Sequence, residues 1–402
     1  MRILFISTWF PYPLDTGSRL RVHYLLRALS ERHEVHLIAF LPDERATALL
    51  PTLAGWGVRT EVVRRNPFWR DPVKARLAYI SPLPRDVVSG HSAEMQARVG
   101  EALSGESYDL VIASVTEVAP YALQSRGIPR LLEEHNFLTA WIAEKHLTER
   151  SAPRRAMRWL TWQKSLHYER RLYPEFDAVT MVSKRECQAV EAVIPAMAGR
   201  VTAIPNGVDT ERSRPGLAVP QPDALVFNGT LSYYANLDAM RFFCSEILPA
   251  IQAQRPAVRM QITGRHDGVD LAGIAGQPGV SLTGFLDDVQ PTVAGSWACV
   301  VPLRQGGGTR LKILEALALG TPVIATSKGA EGLDVTPEHD ILIADDPTEF
   351  ARQTVRLLGN PDLRAQMAAN GRALVEAKYG WDRIGRAFCE VVEGVRSRLS
   401  DG

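Results

Sequence analysis

The residues with the clearest chemical potential lie between residues 302 and 326, in the stretch PLRQGGGTRLKILEALALGTPVIAT. Three consecutive glycines follow an apolar run, and Arg310, Lys312 and Glu315 come shortly after them. Glycines in a strand-to-helix turn allow backbone N–H groups to converge on an anion, and the N-terminus of the helix adds partial positive charge. The stretch therefore predicts a phosphate-binding loop. The alternative is a glycine-rich turn with solvated basic side chains.

The same stretch also predicts the elements that hold this loop. ACVVP is typical of a buried strand. The helix after the loop has one apolar face, formed by Ile313, Leu314, Leu317 and Ala318. Gly320 and Pro322 mark its end. Arg310 and Lys312 lie in the first turn, where the helix dipole disfavours a cation by ~0.3–1 kcal/mol unless a bound anion offsets the cost. No Gly-Lys-Ser/Thr closes the loop, which excludes a Walker loop.

Length and composition favour two globular domains and exclude several classes of protein. The chain has 402 residues, of which 46% are hydrophobic and 23% charged. Because no apolar run approaches the ~18 residues of a spanning helix, and no signal peptide is evident, we predict a cytoplasmic protein. The four cysteines lack metal-site spacing. The chain up to Val208 carries 27 Lys and Arg against 22 Asp and Glu, too small an excess to indicate nucleic-acid binding.

Short apolar runs alternate with helix-length amphipathic segments along most of the chain. This alternation indicates β-α-β units and parallel sheets. The fold class predicted is α/β, with two Rossmann-like, doubly wound domains facing across a cleft. The predicted boundaries place the first domain at 1–208, a linker at 209–222, the second domain at 223–380 and a C-terminal helix at 381–402 that crosses back to the first domain. The predicted strands are 2–7, 35–40, 109–113, 130–133, 178–182, 201–204, 224–227, 258–263, 280–283, 298–302 and 323–326.

A series of motifs in a fixed order makes the chain recognisable. GGGTRLKILEALALGTPVIAT followed by GAEGL resembles the donor-site segment of the retaining glycosyltransferases of family 4, also described as glycosyl transferases group 1, which have the GT-B fold. Other segments agree with that family in the same order, namely FPYPLDTGSRLRVHYLLRALSERHEVHLIAF, VSKRE, IPNGVD, LVFNGT, TGFLDD and YGWDRIGRAF. The resemblance extends along nearly the whole chain.

The resemblance implies roles for residues of the second domain. Glu315 matches the family's second glutamate in a Glu-x7-Glu motif, which holds the ribose hydroxyls of a nucleotide diphosphate sugar. Arg310 and Lys312 would hold the diphosphate, and Gly229 would lie against the donor. The chain departs from the family at the first glutamate, where it has Gly307. The family's Gly-Arg…Lys pair after the first strand of this domain is also absent, since NGTLSYYANLD stands there.

Backbone N–H groups are the substitutes that we predict for the missing first glutamate. They belong to Gly307, Gly308 and Thr309 and would approach the donor directly. Arg310 and Lys312 would then supply most of the positive charge that binds the diphosphate.

In the first domain, the resemblance implies that Gly17 approaches the donor phosphate through its backbone. An ordinary turn before a helix is the alternative. The segment RLLEEHNF ends a predicted strand, and the family commonly has a histidine there. His135 would orient the acceptor hydroxyl or bind the donor sugar, with Asn136 beside it, unless the histidine only terminates a strand. Glu133 or Glu134 could be the base instead, and the sequence does not choose between them.

The predicted activity is transfer of a sugar, with retention, to a cell-envelope, exopolysaccharide or lipid-linked acceptor. His135, Arg310 and Lys312 are the predicted catalytic residues. Neither a metal nor another cofactor is predicted, because no Asp-x-Asp and no histidine cluster with ligand spacing occurs. Two alternatives stay open. A nucleotide-sugar epimerase shares the GT-B architecture and needs no acceptor, and a non-catalytic scaffold subunit would account for the missing first glutamate.

The segment 150–171 combines seven basic residues and one acidic residue with interleaved Trp159, Trp162 and Tyr168. Such a helix can lie on an anionic membrane, which would place the protein at the inner face of the membrane as a peripheral protein. The alternative is a surface helix packed on the first domain by its aromatic residues. RRNPFWRDPVKARLAYI, earlier in the chain, has the same character.

Overall fold

A computed structural model describes residues 1–149, 151–308 and 310–400. The chain packs as two units. The first unit comprises Met1–Pro205 together with the chain from Asp382 onward, and the second comprises Asn206–Trp381. Within the described residues, none of the helices has both the length and the apolar character needed to cross a bilayer.

The first unit is built on a parallel sheet of seven strands in the order β3-β2-β1-β4-β5-β6-β7. These strands are β1 (Arg2–Ser7), β2 (Glu34–Phe40), β3 (Arg59–Val63), β4 (Leu110–Ser114), β5 (Arg130–Glu133), β6 (Ala178–Met181) and β7 (Val201–Ala203). The central strands are continuous apolar runs, such as RILFIS and LVIAS, because helices cover both faces of the sheet.

The second unit contains a parallel sheet of six strands in the order β10-β9-β8-β11-β12-β13. These strands are β8 (Gln221–Asn228), β9 (Arg259–Thr263), β10 (Val280–Gly284), β11 (Ser296–Val301), β12 (Val323–Ala325) and β13 (Leu342–Ile343). Its core is a single cluster of buried apolar side chains between the sheet and its helices. Two parallel, doubly wound sheets confirm the predicted fold class.

Helices connect the strands and cover the sheets. In the first unit they are α1 (Gly17–Ser30), α2 (Leu50–Gly55), α3 (Pro72–Leu77), α4 (Arg85–Gly90), α5 (Ala93–Gly105), α6 (Ala119–Ala122), α7 (Leu138–Thr148), α8 (Ala152–Leu172) and α9 (Lys184–Val193). In the second unit they are α10 (Tyr234–Phe242), α11 (Leu248–Gln254), α12 (Gln290–Ala294), α13 (Leu311–Ala318), α14 (Pro347–Gly359) and α15 (Pro361–Lys378). The last helix, α16 (Trp381–Ser400), begins at the boundary between the units.

The unit boundary lies a few residues from the predicted one, and hydrogen bonds explain the difference. The segment predicted as a linker packs with the second unit, because Arg372 donates to the carbonyls of Thr210 and Ser213. The amide of Val208 also donates to the carbonyl of Tyr379 at 2.9 Å. The described part of α16 packs in the first unit, where Cys389 approaches the carbonyl of Ala28.

The observed strands agree with the predicted ones to within a few residues, but β3 and β13 are not among the predictions. β3, with the sequence RTEVV, lies at the edge of its sheet and buries little apolar surface. β13 has only two residues and is also an edge strand. Such strands form because a neighbouring strand offers free hydrogen-bonding groups, a condition that a local apolar pattern does not report.

Candidate functional site

In the second sheet, the strand order reverses between β8 and β11. Loops that follow two such strands leave the sheet in opposite directions, so a crevice opens at their carboxyl ends. Asn228 ends β8, and the glycine run follows β11 and leads into α13. The topology therefore places the predicted phosphate-binding loop at the point where ligands bind in parallel sheets.

The side chain of Arg310 binds the glycine loop through the carbonyl groups of the loop. Its guanidinium donates to the carbonyl of Gly306 at 2.6 Å and to that of Gly307 at 2.7 Å. Because a trans peptide unit points its N–H opposite to its C=O, the amides of Gly307 and Gly308 point away from Arg310. Gly306 has a φ of +99°, and a Cβ there would lie 2.8 Å from the hydroxyl of Tyr233. The loop thus requires glycine, and its amides are directed away from the side chain that supports it.

Lys312 carries a partly buried ammonium group that has no carboxylate partner among the described residues. Its Nζ donates to the amide oxygen of Asn236 at 2.9 Å and lies 3.8 Å from the centroid of the Phe227 ring. In the part of the chain that the structure describes, Lys312 forms no ion pair. Its pKa is lowered to about 7, mainly by burial, while Cys299 opposes the decrease and the charge of Arg310 contributes to it. A bound anion would reverse this shift by supplying the missing negative charge.

Glu315 lies one turn further along the same helix and has the opposite shift. Burial raises its pKa to about 7, and the charge of Asp288 adds to the increase. One oxygen accepts a hydrogen bond from the side-chain amide of Asn228 at 2.5 Å. Lys312 and Glu315 are three residues apart and therefore share a face of α13. An unpaired cation and an unpaired carboxylate on one face suit a ligand with an anionic group and hydroxyl groups.

Gly229 and Gly264 leave space for the side chain of Lys312 and for the main chain next to it. A Cβ at Gly229 would lie 2.6 Å from Lys312 Nζ and 2.8 Å from the amide nitrogen of Asn236. Gly264, at the end of the neighbouring strand β9, has a φ of +100°, and a Cβ there would lie 2.7 Å from the backbone of Gly229. Gly229 leaves room for a functional side chain, whereas Gly264 leaves room for the main chain.

In the first sheet, the strand order reverses between β1 and β4. Immediately after β4, Val115 has a φ of +72°, which costs on the order of 1–3 kcal/mol for a β-branched residue. Glu117 follows it and is exposed, yet its surroundings are dense enough for desolvation to raise its pKa. Gly17 begins α1, the helix after β1, and the side chain of Thr16 caps that helix. Strained backbone beside a topological switch is characteristic of functional sites.

A buried ionic network lies at the carboxyl end of β5. Glu133 and Arg21 are fully buried, and their side chains meet at 2.5 Å. Ser114 donates to the other oxygen of Glu133 at 2.7 Å, and His135 Nε2 lies 3.2 Å from that oxygen. Burial alone would raise the pKa of Glu133, but the charges of His135 and Arg21 hold it well below its usual range. Because an ionised carboxylate only accepts hydrogen bonds, His135 must carry a proton on Nε2.

The two carboxyl groups that the sequence left open as bases differ in their surroundings. Glu133 is ionised and held by three partners. Glu134 accepts a hydrogen bond from the hydroxyl of Thr116, and burial raises its pKa well above the usual value, as do neighbouring carboxylates including Glu117. Neither carboxyl group is exposed, whereas Asn136 is. Residue 136 is therefore the most accessible member of this group.

The structure groups the predicted donor residues around one helix and one loop. Lys312, Glu315 and Gly229 lie together, and Gly307 and Gly308 lie in the loop before α13. Thr309 lies outside the described residues. His135 and Asn136 belong to the first unit, as does Gly17. Among the described residues, no group of three or more His, Cys, Asp or Glu side chains could hold a metal ion.

Four contributing residues are absent from the sequence-based site, namely Arg21, Ser114, Asn228 and Asn236. Arg21 lies on the buried face of α1, which also contains Val22, Leu25 and Leu29. The apolar spacing of Leu20, Tyr24, Leu25 and Ala28 predicts a different face, which shares Leu25 with the observed one, because a pattern of apolar residues does not include arginine. A basic residue among buried helix positions is the signal that would have revealed it.

Comparisons with known proteins agree with this arrangement. A family model described as "Glycosyltransferase Family 4" matches residues 16–212, and one described as "Glycosyl transferases group 1" matches residues 222–360. A GDP-mannose-dependent monoacylated alpha-(1-6)-phosphatidylinositol monomannoside mannosyltransferase of Corynebacterium glutamicum is 27% identical over 56% of this chain, and the match spans 64% of that relative. An uncharacterized 44.6 kDa protein in the cps region of Klebsiella pneumoniae is 22% identical over 95% of this chain and 97% of its own length.

Solved structures share the fold over the full chain. Anabaena Alr3699/HepE, determined with UDP and glucose, has a TM-score of 0.69 and 17% identity and covers 98% of this chain and all of its own. Sucrose-phosphate synthase from Thermosynechococcus elongatus has a TM-score of 0.71 and 19% identity, with 99% of both chains covered. At these identities the likeness establishes the fold, which is GT-B.

Proposed function

The chain is a glycosyltransferase of the GT-B fold, and from that premise we propose that it uses a nucleotide diphosphate sugar and transfers the sugar with retention at the anomeric carbon. The proposed acceptor is a saccharide or a lipid-linked saccharide of the cell envelope or an exopolysaccharide. The similarity to a mannosyltransferase that acts on a phosphatidylinositol mannoside supports an acceptor of this kind.

One observation carries the proposal, namely the pair of unpaired charges on α13. Lys312 and Glu315 are partly buried, and desolvation outweighs the opposing interactions and moves the pKa of each to about 7. A nucleoside diphosphate offers what each of them lacks. Its phosphates pair with the ammonium of Lys312, and its ribose hydroxyls donate to the carboxylate of Glu315.

The amides of Gly307 and Gly308 complete the proposed donor site. In the transition state for sugar transfer, negative charge grows on the departing diphosphate. Oriented N–H groups and a fixed cation stabilise that charge more strongly than they stabilise the bound substrate. Arg310 contributes by holding the loop carbonyls, which keeps the amides oriented. We propose that neither a metal nor another cofactor takes part.

The proposed acceptor residues are His135 and Asn136. Since the ionised Glu133 fixes a proton of His135 on Nε2, Nδ1 is the ring nitrogen left for a ligand, and it is a hydrogen-bond acceptor when the ring is neutral. That nitrogen would accept the hydrogen bond of an acceptor hydroxyl and orient its oxygen. Arg21 and Ser114 are then positioning residues, because they hold Glu133 and act through it.

Release of nucleoside diphosphate from a panel of nucleotide sugars, with and without a lipid extract, tests the proposal. We expect release from one donor, and a decrease of about 10²–10³-fold in Lys312→Gln, as for the loss of one oriented donor at a developing anion. Lys378→Gln is the matched control, because this lysine lies on the surface of the same unit and pairs with Asp334. The anomeric configuration of the product, determined by NMR, tests retention.

The alternatives give different results in the same assay. An epimerase would convert the nucleotide sugar without any acceptor and form a new sugar. A scaffold subunit would release no diphosphate, and no nucleotide would raise its melting temperature. Equal loss of activity in Lys378→Gln and Lys312→Gln would contradict the assignment of Lys312 to the donor site.

A further inference from the structure

Exposed apolar side chains of the first unit are concentrated in two segments. Eleven of the fourteen large apolar residues that are exposed in the described part of the chain lie within residues 68–83 or 147–160. Ile80 is 87% exposed, and Trp69 and Trp159 are each about half exposed. Single exposed apolar residues are ordinary, but a concentration of this size marks an interaction surface. We call these two segments together the apolar-basic surface.

One lysine joins the two segments. Lys164, on α8, donates to the carbonyls of Ala78 and Tyr79, each at 3.0 Å. Met157 and Leu160 precede Lys164 by seven and four residues and therefore lie on the same face of the helix. Lys164 therefore places residues 78 and 79 of the first segment against α8, the helix that carries most of the second segment.

The charge of this surface is mainly positive. Residues 68–83 contain three basic residues and one acidic residue, and residues 147–160 contain four basic residues and one acidic residue. Both acidic side chains have partners within the chain, since Asp71 caps α3 and Glu149 accepts from the amide of Ser151 and pairs with Arg158.

Basic side chains on the same surface remain available. Lys74, Arg76, Arg154 and Arg155 are exposed, and none of them forms an ion pair with another described residue. An occupant must therefore present negative charge over a broad area and also accept aromatic and aliphatic side chains.

We propose that the apolar-basic surface docks on a bilayer that contains anionic lipids. Tryptophan and tyrosine partition to the headgroup level of a bilayer, and unpaired lysine and arginine side chains bind anionic headgroups. The first three turns of α8 are exposed on nearly all sides, as suits insertion among headgroups rather than packing in a protein groove. The surface combines both segments in which the sequence shows this character, the helix and the segment that begins within RRNPFWRDPVKARLAYI.

The proposed docking rests on the proposed function, because it would bring the enzyme to its acceptor. Docking through the first unit would bring the proposed acceptor residues, which lie in that unit, to the surface where a lipid-linked saccharide resides.

Flotation of the full-length protein with vesicles tests the inference. The vesicles contain phosphatidylcholine alone or mixed with phosphatidylglycerol, at low and at high salt. We expect binding to the anionic vesicles that weakens at high salt. The variant Trp69→Ser/Ile80→Ser should bind both kinds of vesicle less, and Lys74→Gln/Arg76→Gln/Arg154→Gln/Arg155→Gln should lose the preference for anionic vesicles, each by at least about tenfold.

Matched controls separate docking from general effects. Val219→Ser removes an equally exposed apolar residue of the second unit, and Arg383→Gln/Arg386→Gln removes two exposed charges elsewhere in the first unit. Both controls should bind as the wild type does. Absence of vesicle binding by the wild type, or equal loss in the controls and the test variants, would overturn the proposal.

The failure of docking and the failure of the proposed function are distinguishable. Each variant is also assayed for hydrolysis of the nucleotide sugar in buffer without lipid, where the surface variants should match the wild type. Vesicle binding without donor turnover would leave docking standing and remove the proposed activity. Turnover without vesicle binding would remove only the docking. Unchanged melting temperatures would establish that all variants fold.

Discussion

At the carboxyl edge of the first sheet, the buried guanidinium of Arg21 meets the carboxylate of Glu133 at 2.5 Å. At the carboxyl edge of the second sheet, the partly buried ammonium of Lys312 donates to the amide oxygen of Asn236 at 2.9 Å and has no ion-pair partner among the described residues. The first pair holds the pKa of Glu133 below its usual range, because the opposite charges of His135 and Arg21 outweigh its desolvation. At the second edge, desolvation prevails and moves the pKa of Lys312 to about 7.

The difference separates charges that serve the protein from charges that serve a ligand. A buried ion pair that is complete within the chain orients its neighbours, as Glu133 orients His135. A buried charge without an opposite charge destabilises the free protein. Binding of a ligand with the opposite charge can remove that destabilisation. Perturbed pKa values in a crevice are for this reason a guide to function.

The largest effect that tests this contrast concerns stability. Arg21→Met leaves the carboxylate of Glu133 buried without its cation, and we expect a loss of about 3–5 kcal/mol in the free energy of unfolding. Lys312→Met removes an unpaired buried charge and should leave stability unchanged or higher. Urea denaturation followed by tryptophan fluorescence measures both. The double variant Arg21→Met/Glu133→Leu should regain much of the loss, and failure to regain it would show that packing, not pairing, is lost.

Two glycine substitutions sharpen the contrast at the second edge. Gly264→Ala places a methyl group against backbone and in a left-handed conformation, so we expect a loss of about 1–3 kcal/mol in stability. Gly229→Ala meets the side-chain ends of Lys312 and Asn236 rather than backbone, so stability should change less than in Gly264→Ala while donor turnover falls about tenfold. Melting temperatures and rates of diphosphate release measure these effects. Equal destabilisation by both substitutions would contradict the distinction.

Asn236→Asp would make the second edge resemble the first. The new carboxylate would pair with Lys312, raise its pKa and compete with the diphosphate, so affinity for the donor should fall about tenfold, or about 1.4 kcal/mol. Titration calorimetry with a nucleotide sugar measures the affinity. The control is Asn236→Ser, which removes the amide without adding charge and should weaken binding less. Tighter binding by Asn236→Asp would exclude an anion next to Lys312.

The smallest expected effect is a dependence of donor affinity on pH. Lys312 loses its charge as the pH rises above about 7, and Glu315 loses its charge as the pH falls below about 7. Affinity should therefore be highest near pH 7 and fall by less than about tenfold over the first pH unit on each side. A nucleotide sugar is the suitable probe, because its diphosphate does not titrate near neutral pH.

Calorimetric titration over a range of pH checks this dependence. Lys312→Arg should retain binding on the alkaline side, since arginine keeps its charge. An alkaline decrease of the same size in Lys312→Arg would show that another group titrates there.

The sequence predicted the framework of both sites because local signals specify them. Apolar strands, the glycine run and the helix that begins near Arg310 all follow from short-range patterns. The role of Arg310 was harder to predict from the sequence, because its guanidinium binds the carbonyls of Gly306 and Gly307 in the loop before it. Whether it also touches a diphosphate stays a prediction.

The sequence by itself determined the parallel sheets, their order along the chain and the positions of Lys312, Glu315 and His135 at strand or helix ends. Hydrophobic periodicity and glycine chemistry act over a few residues, so a linear pattern contains them. Only the tertiary structure decided which charges are paired. Arg21 and Glu133 are 112 residues apart in the chain, and Asn228 and Glu315 are 87 apart. Desolvation and pairing depend on the neighbours that folding supplies, and so does the division between a positioning charge and a ligand-binding charge.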